Sequence, residues 1–382
     1  MLSVGLAVVL VGILLGTKLM GLTGHHLSAS EQLLGAHLTR NDLGLRTILK
    51  NPINLPFSLV VYSLEKLHLT DPLLLRGISA LFGAIAIGAF YLVLKNWHSP
   101  RVAILGTALF ATSAWSLHVT RLASPEVLLM APMLLILCTT WLEVSPWRRT
   151  ILVLYLVTSL LLIYVPAMII FVIAGTAWQA KHIYAELRQL SLWFIACWII
   201  LGLLLLVPLF WMLSTAPHNA LALLGIPSKL PTPKQYGLNL LNIPINLFAR
   251  GPLDAARWLG RLPLLDIFSS IMVVLGLYAY AFRFRLDHTK LLAGIFLAGS
   301  LLVALGGNVT ITLLMPFVYI VASGGITLMF QQWAAVFPRN PFAKTLATTL
   351  MSVIVLMAVF YNINHYFIAW PNAPETQQVF RQ

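Results

Sequence analysis

Only 9% of the 382 residues are charged, 59% are hydrophobic, and the mean hydropathy is +0.90. A soluble globular chain carries about a quarter charged residues to solvate its surface, so this composition excludes a water-facing surface over most of the chain and makes lipid its solvent. Lys and Arg outnumber Asp and Glu by 24 to 11, a net charge of +13. In so apolar a chain that excess reads as basic inner loops and attraction to anionic headgroups, not as nucleic-acid binding.

A helix needs about 20 apolar residues to cross the hydrocarbon core. Splitting the longest runs at Pro and Gly predicts an all-α polytopic membrane protein of about 11 spans. The first, over residues 2–22, lacks a basic flank and is longer than a signal core, so it is expected to be retained. An outer segment, 23–71, follows. Within it, residues 53–67 are moderately apolar but carry Glu65 and Lys66, the pattern of a helix lying in the interface. Spans are then predicted at 72–94, 102–119 and 125–141, followed by 150–164 and 166–178, which are separated at Pro166. A further span at 192–213 leads into a second outer segment, 214–266, rich in Pro and Asn. Runs at 267–281, 291–305, 309–330 and 346–361 complete the set, and the aromatic tail from His365 is expected to pack on the outer face. No separate soluble domain, internal repeat or low-complexity tract interrupts this single unit of residues 1–382.

Loop charges orient it. With the N-terminus in the cytoplasm, the inner loops hold Lys95, Arg101, Arg148, Arg149, Lys181, Arg188, Arg283, Arg285, Lys290, Arg339 and Lys344, against Glu143, Glu186 and Asp287. This is the positive-inside signature. Trp97, Trp147, Trp258 and Trp370 fall at predicted boundaries and read as interfacial anchors.

The scarce outer carboxylates are the first candidates for chemistry. Glu31 follows the first span and Glu126 opens the fourth, both at the membrane edge, where a carboxylate must be solvated, paired or functional. Pairing of Glu126 with nearby Arg121 is the structural alternative. The outer basic residues Arg40, Arg46, Lys50, Arg121, Arg250, Arg257 and Arg261 come from three separate segments. Arg grips phosphate bidentately, so a lipid-borne phosphate is their natural partner; the alternative is a set of headgroup anchors. Cys138 and Cys197 sit in apolar runs, and His25-His26 lacks companions at ligand spacing. No metal ligand is assigned, although a divalent ion at Glu31 stays open.

Several stretches together resemble the multispanning GT-C glycosyltransferases, most closely the protein O-mannosyltransferases and the aminoarabinose transferases that modify lipid A. They are Asn51-Pro-Ile-Asn-Leu-Pro56, Asp71-Pro-Leu-Leu-Leu-Arg76, Ser99-Pro-Arg-Val-Ala-Ile-Leu105 and Arg121-Leu-Ala-Ser-Pro-Glu126, then Gly251-Pro-Leu-Asp254, Leu262-Pro-Leu-Leu-Asp266 and His365-Tyr-Phe-Ile-Ala-Trp-Pro371. The resemblance implies transfer of a sugar from a polyprenyl-phosphate carrier to a hydroxyl of a lipid, glycan or protein, on the extracytoplasmic face of a bacterial or archaeal cell membrane. It also implies that Glu31 and Glu126 stand at the positions of the family's acids. The chain departs from the pattern where Ser30-Glu31 replaces an Asp-Glu pair, where Thr312 replaces a basic residue, and where a large outer domain is missing. A catalytically silent relative serving as a partner or lipid-binding subunit is the alternative that Ser30 raises. A lipid or solute transporter is the other.

Overall fold

A computed structural model describes residues 45–68, 72–144 and 146–380. The predicted first span, His25, His26, Ser30, Glu31, Arg40 and Asp71 lie outside the described residues. Every regular element among those described is helical. In chain order they are α1 (Leu45–Lys50), α2 (Leu55–Lys66), α3 (Pro72–Trp97), α4 (Pro100–Thr112) and α5 (Ala114–Arg121). A 3-10 turn, Pro125–Met130, leads into α6 (Pro132–Val144), α7 (Arg148–Leu162), α8 (Met168–Trp178), α9 (Ala180–Leu187) and α10 (Leu192–Thr215). Then come α11 (Asn219–Leu223), α12 (Pro233–Phe248), α13 (Ile267–Phe282) and α14 (Asp287–Ala304). A second 3-10 turn, Ile311–Leu313, precedes α15 (Met315–Val336), α16 (Pro341–Asn364) and, after a π turn at His365–Ala369, α17 (Pro374–Phe380).

Among the described residues six helical segments are long and apolar enough to cross a membrane, and the chain reads as an integral membrane protein. Together α4 and α5 would make a seventh, bent by 60° at Ser113. The hydroxyl of Ser113 accepts from the Ser116 amide and so starts a fresh helix there. Against about 11 predicted spans, α7, α8 and α13 are helices of 15, 11 and 16 residues, short of that length. The break at Pro166 is present. Ala167 takes φ +66° and its amide donates to the Leu223 carbonyl, while Tyr155 of α7 meets Thr176 of α8 at 2.8 Å, so the two helices run antiparallel.

The tightest helix pair is α13 against α15, and glycine sets its closeness. A Cβ on Gly276 would lie 1.8 Å from the Val321 carbonyl oxygen, and one on Gly325 would lie 2.1 Å from that of Met272. Small residues let helix backbones approach in lipid, where packing replaces the hydrophobic effect between helices. Helix α2, the stretch expected to lie in the interface, is keyed to the core by Phe57 and Val61, with Phe57 against Phe82 of α3. The second outer segment is not simply a loop: α12 runs through it and packs on α14, where Asn239 donates to the Ala304 carbonyl at 2.9 Å.

One end of the bundle gathers the basic loops. Arg148 pairs with Glu186 at 3.6 Å, Arg283 donates to Gln331 at 2.7 Å, and Arg101 donates to Thr348 at 3.3 Å. His98 is held there between Tyr280 (3.1 Å) and Thr327 (2.9 Å). Burial, reinforced by the charges of His288 and Arg283, pushes its imidazole down from 6.5 to about 4.

Candidate functional site

The opposite end carries Glu126. Ser79 of α3 exchanges bonds with the Ser124 backbone, its hydroxyl donating to the carbonyl at 3.3 Å and accepting from the amide at 3.2 Å. The Ser124 hydroxyl then accepts from the Glu126 amide at 3.3 Å. Pro125, which has no amide to satisfy, begins the 3-10 turn, and the result is a carboxylate fixed at the mouth of the bundle. Its side chain is 9% exposed.

Three donors converge on that carboxylate. Arg257 Nη1 meets Oε2 at 2.5 Å, while the hydroxyls of Thr310 and Thr312 donate to Oε1 at 2.5 and 2.6 Å. Thr312 also accepts from Trp115 Nε1 at 3.0 Å, which commits the hydroxyl to one orientation. Both threonines sit where the chain enters the second 3-10 turn, and Thr310 caps it by accepting from the Thr312 amide. The expected ion pair with Arg121 is therefore corrected: the partner is Arg257, 131 residues away. Arg121 is 1% exposed, with its guanidinium 4.8 Å from the centre of the Phe367 ring and 5.5 Å from that of Tyr366.

Arg257 is placed by its own loop. Asp254 caps a turn by accepting from the Ala256 amide at 3.1 Å, its carbonyl accepts from the amides of Arg257 and Trp258, and its second carboxylate oxygen lies 3.4 Å from Arg257 Nε. Trp258 Nε1 closes the loop on the Leu262 carbonyl at 2.7 Å, against which Gly251 leaves no room for a side chain. Arg257 is thus gripped on two sides yet remains 29% exposed at its side chain. That combination suits a cation that meets a ligand at an aqueous mouth.

The other predicted residues divide. Arg46 and Lys50 are exposed on α1, which packs near the end of α10 at the same end of the bundle, and Asn219 donates to Asn51 there at 3.4 Å. Arg250 and Arg261 are exposed on the loop that carries Arg257. Of the basic residues predicted for phosphate, the structure joins Arg257 to Glu126, while Arg46, Lys50, Arg250 and Arg261 are exposed and make no ion pair with Glu126. Glu31 and Arg40 lie outside the described residues. No group of three His, Cys, Asp or Glu suited to a metal occurs among the described residues.

Two of the four tryptophans expected at the interface are core residues: Trp258 is 2% and Trp370 0% exposed. Trp370 Nε1 donates to the Ala255 carbonyl at 3.1 Å, so the C-terminal tail clamps the Arg257 loop from behind. Sequence reasoning assigned no role to Thr310 or to the buried histidine His118, and it noted His365 only as the start of the C-terminal stretch that carries the family resemblance. The chain matches no protein-family model and no curated protein.

Proposed function

We propose that the chain is a GT-C-like glycosyltransferase that moves a sugar from a polyprenyl-phosphate donor to an acceptor hydroxyl on the extracytoplasmic face of a bacterial or archaeal cell membrane. The N-terminus is cytoplasmic in this reading, and the shorter apolar helices and residues 2–22 contribute to an eleven-helix membrane domain. The observation that carries the proposal is the Glu126–Arg257 pair, a cation locked by a carboxylate at the bundle end opposite the basic loops. Exposed Arg250 and Arg261 lie on the same loop as Arg257, and Arg46 and Lys50 are exposed on α1, cations of the type that would meet the charge developing on a departing lipid phosphate.

A second observation supports a lipid donor. A cleft of about 590 Å³ runs between α13 and α14, lined almost entirely by apolar side chains such as Leu277, Phe296 and Val318. Its rim at Phe248 is two residues before Arg250 in the chain. A prenyl tail in the cleft would put its phosphate at the arginine-bearing loop.

The chemistry divides among the residues as follows. The acceptor oxygen attacks the anomeric carbon as its proton passes to the Glu31 carboxylate. The bond from that carbon to the phosphate oxygen breaks, and its electron pair stays on the phosphate, where guanidinium groups stabilise the charge. Glu126 is engaged by three donors, so it positions Arg257 rather than taking the proton.

Membranes containing the full chain should consume a labelled polyprenyl-phosphate sugar, and Glu31→Gln should abolish consumption while leaving the purified protein monodisperse. Retained turnover in that variant refutes the assignment of the base. Binding of the donor without turnover in the wild type would favour the silent-subunit reading that Ser30 motivates.

A further inference from the structure

Helix α12 is tethered near both of its ends to the same end of the bundle. Tyr236 donates to the Leu301 carbonyl at 3.3 Å and Asn239 to that of Ala304 at 2.9 Å. Both acceptors lie in the last turn of α14, which is long and apolar enough to cross a membrane. Farther along α12, the carbonyls of Asn246 and Leu247 accept from the amides of Leu264 and Leu265 at 3.0 and 3.1 Å, just before α13 begins. The helix therefore lies across the Glu126 end of the bundle rather than along it. A segment held between the ends of two apolar helices of this kind sits where bilayer meets water.

At about 100° per residue, the side chains of α12 sort into strips. Tyr236, Asn239, Ile243 and Leu247 share the side that meets the bundle, and Ile243 and Leu247 are buried there. Lys234, Leu238, Leu241, Ile245 and Phe248 fall within an arc of roughly 80° on the far side. The four apolar ones are exposed, from 38% at Phe248 to 61% at Leu241. Between the two strips, exposed Gln235 and Asn242 form a polar edge. Separate exposed strips of leucine and of amide are the pattern of a helix with lipid on one side and water on the other.

Charge completes the pattern. Residues 187–253 hold no Asp or Glu. Exposed Lys229 and Lys234 stand at the start of α12 and exposed Arg250 just past its end, and none of the three pairs with a carboxylate among the described residues. Cations at both ends of an apolar strip complement a surface that layers phosphate over acyl chains. A second copy docking through the same strip would set lysine against lysine.

We infer that α12 docks on an anionic phospholipid surface, with Leu238, Leu241, Ile245 and Phe248 at the acyl boundary and Lys229 and Lys234 on lipid phosphates. The other side of the same helix, at Ile243 and Leu247, is a wall of the cleft of about 590 Å³. Lipid contact thus sets the position of that wall. The inference does not rest on the transferase reading, since it uses neither the Arg257 ion pair nor the contents of the cleft.

The test places a nitroxide on Leu241→Cys in the full chain, reconstituted in nanodiscs. The background carries Cys197→Ser, which removes the exposed cysteine, while Cys138 is buried. Leu238→Cys, on the same strip, substitutes if the first variant does not fold. Spin relaxation then compares collisions with oxygen, which partitions into lipid, and with a polar nickel chelate, which stays in water. In phosphatidylcholine the oxygen-to-nickel ratio should be several-fold higher at Leu241→Cys than at Asn242→Cys. Replacing half of the lipid by phosphatidylglycerol should raise the ratio at Leu241→Cys further, and Lys229→Gln with Lys234→Gln should remove that rise. A ratio no higher at Leu241→Cys than at Asn242→Cys puts the strip in water and overturns the inference. So does a ratio indifferent to phosphatidylglycerol, or a rise that survives the loss of both lysines. Low access for both reagents overturns it as well, and dipolar broadening between labels would then identify a second copy as the occupant.

Discussion

Replacing Glu126 by Gln removes one charge and almost no volume, which makes it a clean probe of the network at the bundle mouth. The two threonine hydroxyls can still donate to the amide oxygen, but the amide nitrogen then faces Arg257 Nη1, donor against donor. Two unit charges about 4 Å apart attract by about 4 kcal/mol at an effective dielectric of 20. Arg257 is 29% exposed and also engages Asp254, and both features cut the net value. A charge-assisted hydrogen bond is worth about 1.5–3 kcal/mol, so Glu126→Gln should cost about 2 kcal/mol. In a double-mutant cycle with Arg257→Gln the coupling should be about 1–2 kcal/mol. The assay is unfolding free energy in detergent by steric trapping, with the single and double variants measured side by side. A coupling below about 0.3 kcal/mol would show that the pair does not form, and would remove the fixed cation on which the site rests.

Other outcomes follow from the same structure. Thr312→Val, nearly isosteric, strips a donor from Glu126 and an acceptor from Trp115; it should cost about 1–3 kcal/mol in the same assay. Gly276→Ala drives a methyl into the Val321 carbonyl and should destabilise by 3 kcal/mol or more, on the order of severe overpacking. Gly88→Ala, with open space around it, should be neutral or slightly stabilising, and thermal melts in detergent compare the two. His98 titrates at about 4 in the fold against 6.5 free, so the unfolded chain binds the proton more readily. Stability should be level above about pH 6.5 and fall as pH drops toward 4. The total loss is at most about 3 kcal/mol, and His98→Phe should flatten that slope. Should stability rise on acidification over this window, the burial of His98 is wrong.

The helical, membrane-embedded character of the chain was legible because apolar runs and basic loops are local patterns. The predicted spans from residue 72 onward fall on helical residues, although 102–119 is broken at Ser113, 125–141 begins in a 3-10 turn and several are shorter than a full crossing. The site was legible only in its parts. Glu126 stood out because a carboxylate opening an apolar run is costly, but its partner was misread. Arg121 is five residues away and Arg257 is 131, and sequence carries no signal for a contact made by folding a distant loop across the bundle mouth. Thr312 was noted only as a departure from a family pattern; its hydroxyl turns out to hold Glu126. Trp258 and Trp370 misled for the opposite reason. Tryptophan near a boundary serves an interface and a core equally well, and here the tail folds back to bury both.

The claim at the centre of this account is that the Arg257 mouth recognises a lipid phosphate. Equilibrium binding of tritiated polyprenyl phosphate to the full chain in nanodiscs tests it, with the corresponding polyprenol as competitor. Polyprenyl phosphate should bind at least about 10-fold more tightly than the polyprenol, and Arg257→Gln should erase most of that difference, consistent with loss of a charge-assisted contact. Equal affinity for the phosphate and the alcohol, or undiminished preference in Arg257→Gln, would contradict it.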